Sequence, residues 1–171
     1  MKKDPLIYKD ASRYNGEIPS FTVPDAGDGT TPAISSMPFV LPSIDTPTKD
    51  LAKDGGKITL LVFGGSGCGS CIEEAQTLAA VTSLHGSAAP TKINLITVLV
   101  GDTVSSGRDF KERYKITWPV VIDNDSSLFH TLCPEPLIRC FIFHDPNRGI
   151  YFRTQDAMTV AQMKEKTGAW Y

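Results

Sequence analysis

The 171-residue chain lacks any apolar run near the roughly 20 residues that a membrane-spanning helix needs. Its longest, residues 58–63, has Thr59 inside it. A charge excess is also missing: 17 basic against 19 acidic residues leave a net charge of −2. That argues against a nucleic-acid sleeve or a polybasic membrane anchor. Cysteine is scarce, and 4 residues are too few for a miniprotein built on disulfides. The opening stretch, MKKDPLIYKD, has no apolar segment after its lysines and is not a signal peptide. Either the chain is cytoplasmic, or a targeting segment has been removed from it. What remains is ordinary globular composition, 41% hydrophobic and 21% charged, which excludes a disordered or fibrous chain. A chain of this length buries roughly two-thirds of its unfolded surface, so it can sustain its own core.

Proline is unevenly spread. Seven of the 12 prolines fall within residues 1–50, where periodicity is poor and extended segments and turns fit better than helix. Residues 1–36 read as a Pro/Gly-rich N-terminal extension and residues 37–171 as the domain. After residue 56 the pattern becomes regular. Residues 57–63 (KITLLVF) and 93–100 (INLITVLV) read as buried strands, with shorter strands at 120–122, 138–143 and 150–153. Helices are expected at 71–85, around a capping box at Ser106 to Asp109, at 126–132, and at 159–167 before Gly168. Glu73 and Glu74 are expected in the first turn of the helix at 71–85, where they suit its dipole. The succession predicts an α/β fold with a mixed central sheet flanked by helices.

The distinctive motif is Cys68-Gly-Ser-Cys71. It follows a glycine loop (Gly64, Gly65, Gly67) that leaves a buried strand, and it opens an amphipathic helix. The N–H groups and dipole of a helix start favour a thiolate at the first sulfur, and a thiolate is the nucleophile in disulfide exchange. Cys71, three residues on, is placed to resolve a mixed disulfide. Glu74 is three residues further, on the same helical face. A partly buried carboxylate there can take and return the proton of Cys71. Two packed, inert thiols, or half of a metal site, are the alternatives for the pair; an ordinary helix-start glutamate is the alternative for Glu74.

On these residues the chain resembles the thioredoxin-like TlpA/ResA/CcmG group. The resemblance runs from the entry segment at residues 38–45 through Leu61-Val-Phe63, Ser66, Cys68-x-x-Cys71-x-x-Glu74 and Trp118-Pro-Val-Val-Ile-Asp123. It covers about four-fifths of the chain. It implies a thioredoxin-like fold and thiol–disulfide exchange with protein thiols or disulfides, outside the cytoplasm, in the periplasm or tethered to a membrane. It implies no cofactor and no resident metal. The chain departs from the group in three ways. Gly67 stands where the group has Trp. Counting back six residues from Asp145, where the group's cis-proline belongs, gives Arg139, so that proline is either Pro136 or absent. Cys133 and Cys140 are not group features.

Arg139-Cys-Phe-Ile-Phe-His-Asp-Pro also resembles a peroxiredoxin run whose arginine stabilises a thiolate, so Arg139 is a candidate catalytic residue acting on Cys68. The threonine that a peroxiredoxin carries three residues before its reactive cysteine is replaced by Gly65. Thiol peroxidase is therefore an alternative function; a surface residue or an ion pair with a carboxylate is the alternative for Arg139. Cys133 and Cys140 read as two buried small residues, as a structural disulfide, or as further redox thiols. Copper-carrying relatives of the fold use two cysteines and a distant histidine, which makes His130 and His144 worth locating and a Cu(I) chaperone a second alternative. His85 is expected to end its helix favourably. The leading expectation is a thiol–disulfide oxidoreductase in which Cys68 attacks, Cys71 resolves and Glu74 moves a proton.

Overall fold

The computed structural model describes residues 40–43, 48–50, 55–133, 139–147 and 149–171. The N-terminal extension at 1–36 and the candidate cis-proline Pro136 lie outside the described residues. So does part of the entry segment at 38–45.

The chain forms β1 (Val40–Pro42), β2 (Thr48–Asp50), β3 (Thr59–Gly64), α1 (Gly69–Ser83), β4 (Asn94–Val100), α2 (Val104–Arg113), β5 (Val120–Asp123), α3 (Ser127–Leu132), β6 (Cys140–Asp145), β7 (Gly149–Thr154) and α4 (Val160–Thr167). Five strands make one sheet in the order β5-β4-β3-β6-β7. β3 runs parallel to β4 and β4 to β5, while β6 is antiparallel to both β3 and β7. The mixed sheet is as expected. The parallel pairs need helical crossovers, which α1 and α2 supply. β1 and β2 pair with each other, and Ser43 bridges to Val121 of the edge strand β5.

β3 is buried from end to end, as a central strand between two covered faces must be. Its side chains alternate between two cores. Leu60 and Val62 join Ala75 and Leu78 of α1, Phe110 of α2 and Met163 of α4. Leu61 and Phe63 join Leu128, Phe129 and Leu132 of α3. Each fully buried Leu or Phe contributes about 2–3 kcal/mol. The buried indole N–H of Trp118 is satisfied by Thr97 Oγ1 at 2.9 Å. The C-terminal residues pin the α1–β4 connection: Trp170 O accepts from the N–H groups of Thr91 and Lys92, and Tyr171 stacks on His85 with ring centres 3.6 Å apart.

Two expectations about helix starts are corrected. The box that opens α2 is Thr103 with Ser106, each side chain bonding the other's backbone N–H; Ser106 is its third helical residue, not its cap. α1 begins at Gly69, two residues before the expected start, because Cys68 itself is the cap. Glu73 and Glu74 therefore fall beyond the first turn, which holds no acidic residue. His85 lies past the C-cap Leu84 of α1 and serves instead as the stacking partner of Tyr171.

Candidate active site

β3 and β4 are parallel neighbours, with Gly64 paired to Leu99, so both deliver their exits to one edge of the sheet. That edge is where parallel sheets place their sites. From Gly64 the chain turns through Gly65, Ser66 and Gly67, and Cys68 N–H closes the turn on Gly65 O at 3.1 Å. Cys68 then caps α1, its sulfur accepting from Cys71 N–H at 3.3 Å. The two cysteines are joined as a disulfide with Cα atoms 5.2 Å apart. Ser70 Oγ lies 3.5 Å from Cys68 Sγ.

The two sulfurs are not equivalent. Cys68 is half-buried, between exposed Gly67 and Gly69, whereas Cys71 is buried. Cys71 fits because residue 64 is glycine: a Cβ there would stand 2.9 Å from Cys71 Cβ and 3.0 Å from its sulfur. Behind Cys71, a cavity of about 10 Å³ is lined by Gly64, Cys71, Glu74, Thr97 and Phe110 among others, about the space of one water molecule.

Glu74 is held one turn inward. Its side chain is 11% exposed, and Arg139 Nη1 lies 3.3 Å from its Oε1. Among the described residues neither carboxylate oxygen accepts an aligned hydrogen bond. Burial raises the Glu74 pKa from 4.5 to about 7, against the opposing pull of the Arg139 charge. Arg139 Nε donates to Gln155 O at 3.1 Å, so the guanidinium is aimed from the start of β6 at the acid of α1. The expectation for Arg139 was an action on Cys68; the contact found is with Glu74. A groove of about 180 Å³ runs past this ion pair, lined by Ser70, Glu74, Arg139, Met158, Val160 and Met163 among others.

Cys133 and Cys140 are unbonded and buried in the core beneath the opposite face of the sheet. Burial, first of all, pushes the Cys133 thiol well above its ordinary range, and the neighbouring Cys140 thiol adds to it. His144 lies buried on β6, and His130 is partly exposed on α3. Among the described residues no group of three or more His, Cys, Asp or Glu is arranged to hold a metal ion, and no helix is long and apolar enough to cross a membrane.

Sequence reasoning missed Asp102. It leaves β4 beside the glycine loop and accepts from both Ser66 N–H, at 2.9 Å, and Ser66 Oγ, at 2.5 Å. The available signal was a Gly-Asp pair at the exit of a buried parallel strand.

No family model and no curated protein matches the chain by sequence. Solved structures do match by shape. A secreted disulfide oxidoreductase of Mycobacterium tuberculosis, homologous to DsbE of E. coli, superposes with a TM-score of 0.62 at 17% identity, covering 76% of this chain and 94% of that one. StoA of Bacillus subtilis gives 0.60 at 24% identity over 77% and 98%. A secreted thiol-disulfide isomerase of Corynebacterium glutamicum gives 0.64 at 15% identity over 77% and 81%. The mixed sheet, the cysteine pair at the mouth of α1 and these superpositions together identify the fold as thioredoxin-like.

Proposed function

We propose that this chain is a thiol–disulfide oxidoreductase acting on protein thiols or disulfides. The observation that carries the reading is the asymmetry of the bonded pair: Cys68 half-buried at the cap of α1, Cys71 buried behind it. In the reductive direction the Cys68 thiolate attacks one sulfur of a partner disulfide, and the partner's other sulfur leaves as a thiolate. The Cys71 thiol gives its proton to Glu74 and attacks Cys68 Sγ. The Cys68–Cys71 disulfide forms and the partner leaves with two reduced sulfurs. The oxidative direction is the reverse. An acid with a pKa of about 7 can take or give a proton near neutrality, which is what a base that must work in both directions requires. Arg139 keeps that carboxyl from rising further. Residues 37–171 form the working domain in this reading, with residues 1–36 as its extension. The site lies outside the cytoplasm, as the secreted neighbours suggest by analogy.

The test uses the full chain in an insulin-reduction assay with dithiothreitol. Cys68→Ser removes turnover, and Cys71→Ser accumulates mixed disulfides with its substrate. A Cys71→Ser protein that traps nothing, together with a Cys68 that titrates like free cysteine, overturns the reading. Consumption of hydrogen peroxide that needs Arg139, or stoichiometric retention of Cu(I) with little exchange, replaces it by the peroxidase or the copper-chaperone alternative.

A further inference from the structure

The attacking cysteine is set on a turn, not on a strand or within a helix. That turn, Gly65 to Cys68, contains two glycines, and Ser66 is the one residue before the cysteine with a side chain to hold it. Ser66 is held twice over by a single carboxylate, through its N–H and its hydroxyl. The carboxylate belongs to Asp102, and its position is fixed independently. Gly101 adopts φ +71°, a left-handed bend that glycine takes without strain, and its N–H bonds Asp123 O at 2.9 Å. Asn124 Nδ2 donates to Asp102 O at 3.0 Å. Ser106 Oγ, in the box that opens α2, donates to Asp102 Oδ1 at 3.2 Å. One side chain thus joins the exit of β4, the start of α2 and the turn before Cys68.

We propose that Asp102 is a positioning residue for the attacking cysteine. By gripping Ser66 it holds Cys68 at the cap of α1, where the helix N–H groups favour the thiolate. The inference rests on the exchange reading above and adds a residue to it. Two glycines leave the turn many conformations when the grip is lost. A cap sulfur that wanders loses the aligned N–H donor of Cys71 and with it part of the thiolate preference. Asp102 is the charge that touches the turn, while Glu73 and Glu74 of α1 and Arg139 line the groove beside Ser70.

The test follows iodoacetamide alkylation of the reduced full-length protein across pH. It yields the Cys68 titration midpoint and the rate at pH 7. Asp102→Ala is expected to raise the midpoint by about one pH unit and slow alkylation at pH 7 about tenfold. Asp102→Asn keeps the shape, with its oxygen toward Ser66 N–H and its amide toward Ser66 Oγ, and stays within about threefold of the parent. Ser66→Ala loses only the hydroxyl bond and falls between them, and Ser66→Ala combined with Asp102→Ala is no worse than Asp102→Ala alone. Thr159→Ala, which removes the cap of α4, lowers the melting temperature and leaves the midpoint in place. If Asp102→Ala fails to fold, Ser66→Ala decides: an unmoved midpoint there overturns the proposal. So does an Asp102→Asn protein that behaves like Asp102→Ala, since a side chain of the same shape and bonding then fails to hold the midpoint. A parent Cys68 that titrates like free cysteine overturns the exchange reading itself; a lowered parent midpoint untouched by Asp102→Ala overturns only the assignment to Asp102.

Discussion

The molecule carries two pairs of cysteines in opposite circumstances. Cys68 and Cys71 stand at the mouth of a helix, bonded, one sulfur within reach of solvent. Cys133 and Cys140 lie within an apolar core, unbonded, with the Cys133 thiol pushed well above its usual range by burial and by its neighbour. The element is the same, and its surroundings decide its chemistry. Helix donors and partial exposure suit the first pair to the proposed exchange, whereas enclosure among Leu128, Phe129, Leu132 and Ile142 makes a small hydrophobic residue with a weak S–H donor.

The sharpest way to test this contrast is to change one member of each pair. Cys68→Ser should abolish exchange, a loss of at least about a thousandfold in turnover, while Cys140→Ser should leave turnover near the parent value. The second change instead buries a hydroxyl in an apolar core, at about 1–3 kcal/mol of stability, read from chemical denaturation. The next effect comes from closing the space behind the working pair. Gly64→Ala puts a methyl group against Cys71 Cβ and Sγ, and neither the short side chain nor the helix backbone that carries it can swing away. A loss of about 1–3 kcal/mol, with slowed resolution of mixed disulfides, is expected from melting and stopped-flow measurements.

Glu74 lies beside the Cys68–Cys71 pair, and it should give that pair a pH dependence near neutrality. Its folded pKa, about 7, lies above the ordinary 4.5, so the folded state holds this proton more tightly than the unfolded state does. The stability it supplies is full below pH 4.5 and lost as pH rises through 7, a change on the order of 3 kcal/mol. Glu74→Gln should therefore match the parent near pH 4 and melt higher at pH 8. The same variant should slow the resolving step above pH 7 by about a hundredfold, a usual loss when a general base is removed. The smallest effect expected is that of Arg139→Ala. Without the opposing charge the Glu74 midpoint should move further upward, visible in the carboxyl carbon chemical shift.

Much of this is legible in the sequence. The strands read from runs such as INLITVLV match because a central strand buried on both faces needs nearly continuous apolar sequence. The cysteine pair and Glu74 were legible because helical spacing fixes them relative to one another. Other features depend on chain segments meeting across the sheet. Nothing local to Arg139 says that its partner is 65 positions earlier on α1, and Asp102 reaches back to Ser66 only because β3 and β4 end at the same edge. The start of α1 is hidden for a simpler reason: Cys68 caps the helix, and cysteine is not among the residues that ordinarily do so.

That cap has a consequence for electron affinity. Cys68 Sγ receives the N–H of Cys71, and a sulfur bearing full negative charge accepts such a bond more strongly than one tied into a disulfide. The coil below it is thus better anchored after the protein has gained two electrons than before. Whatever stabilises the electron-rich form makes its partner form the keener electron acceptor, so the geometry that begins a helix also biases the direction in which electrons flow.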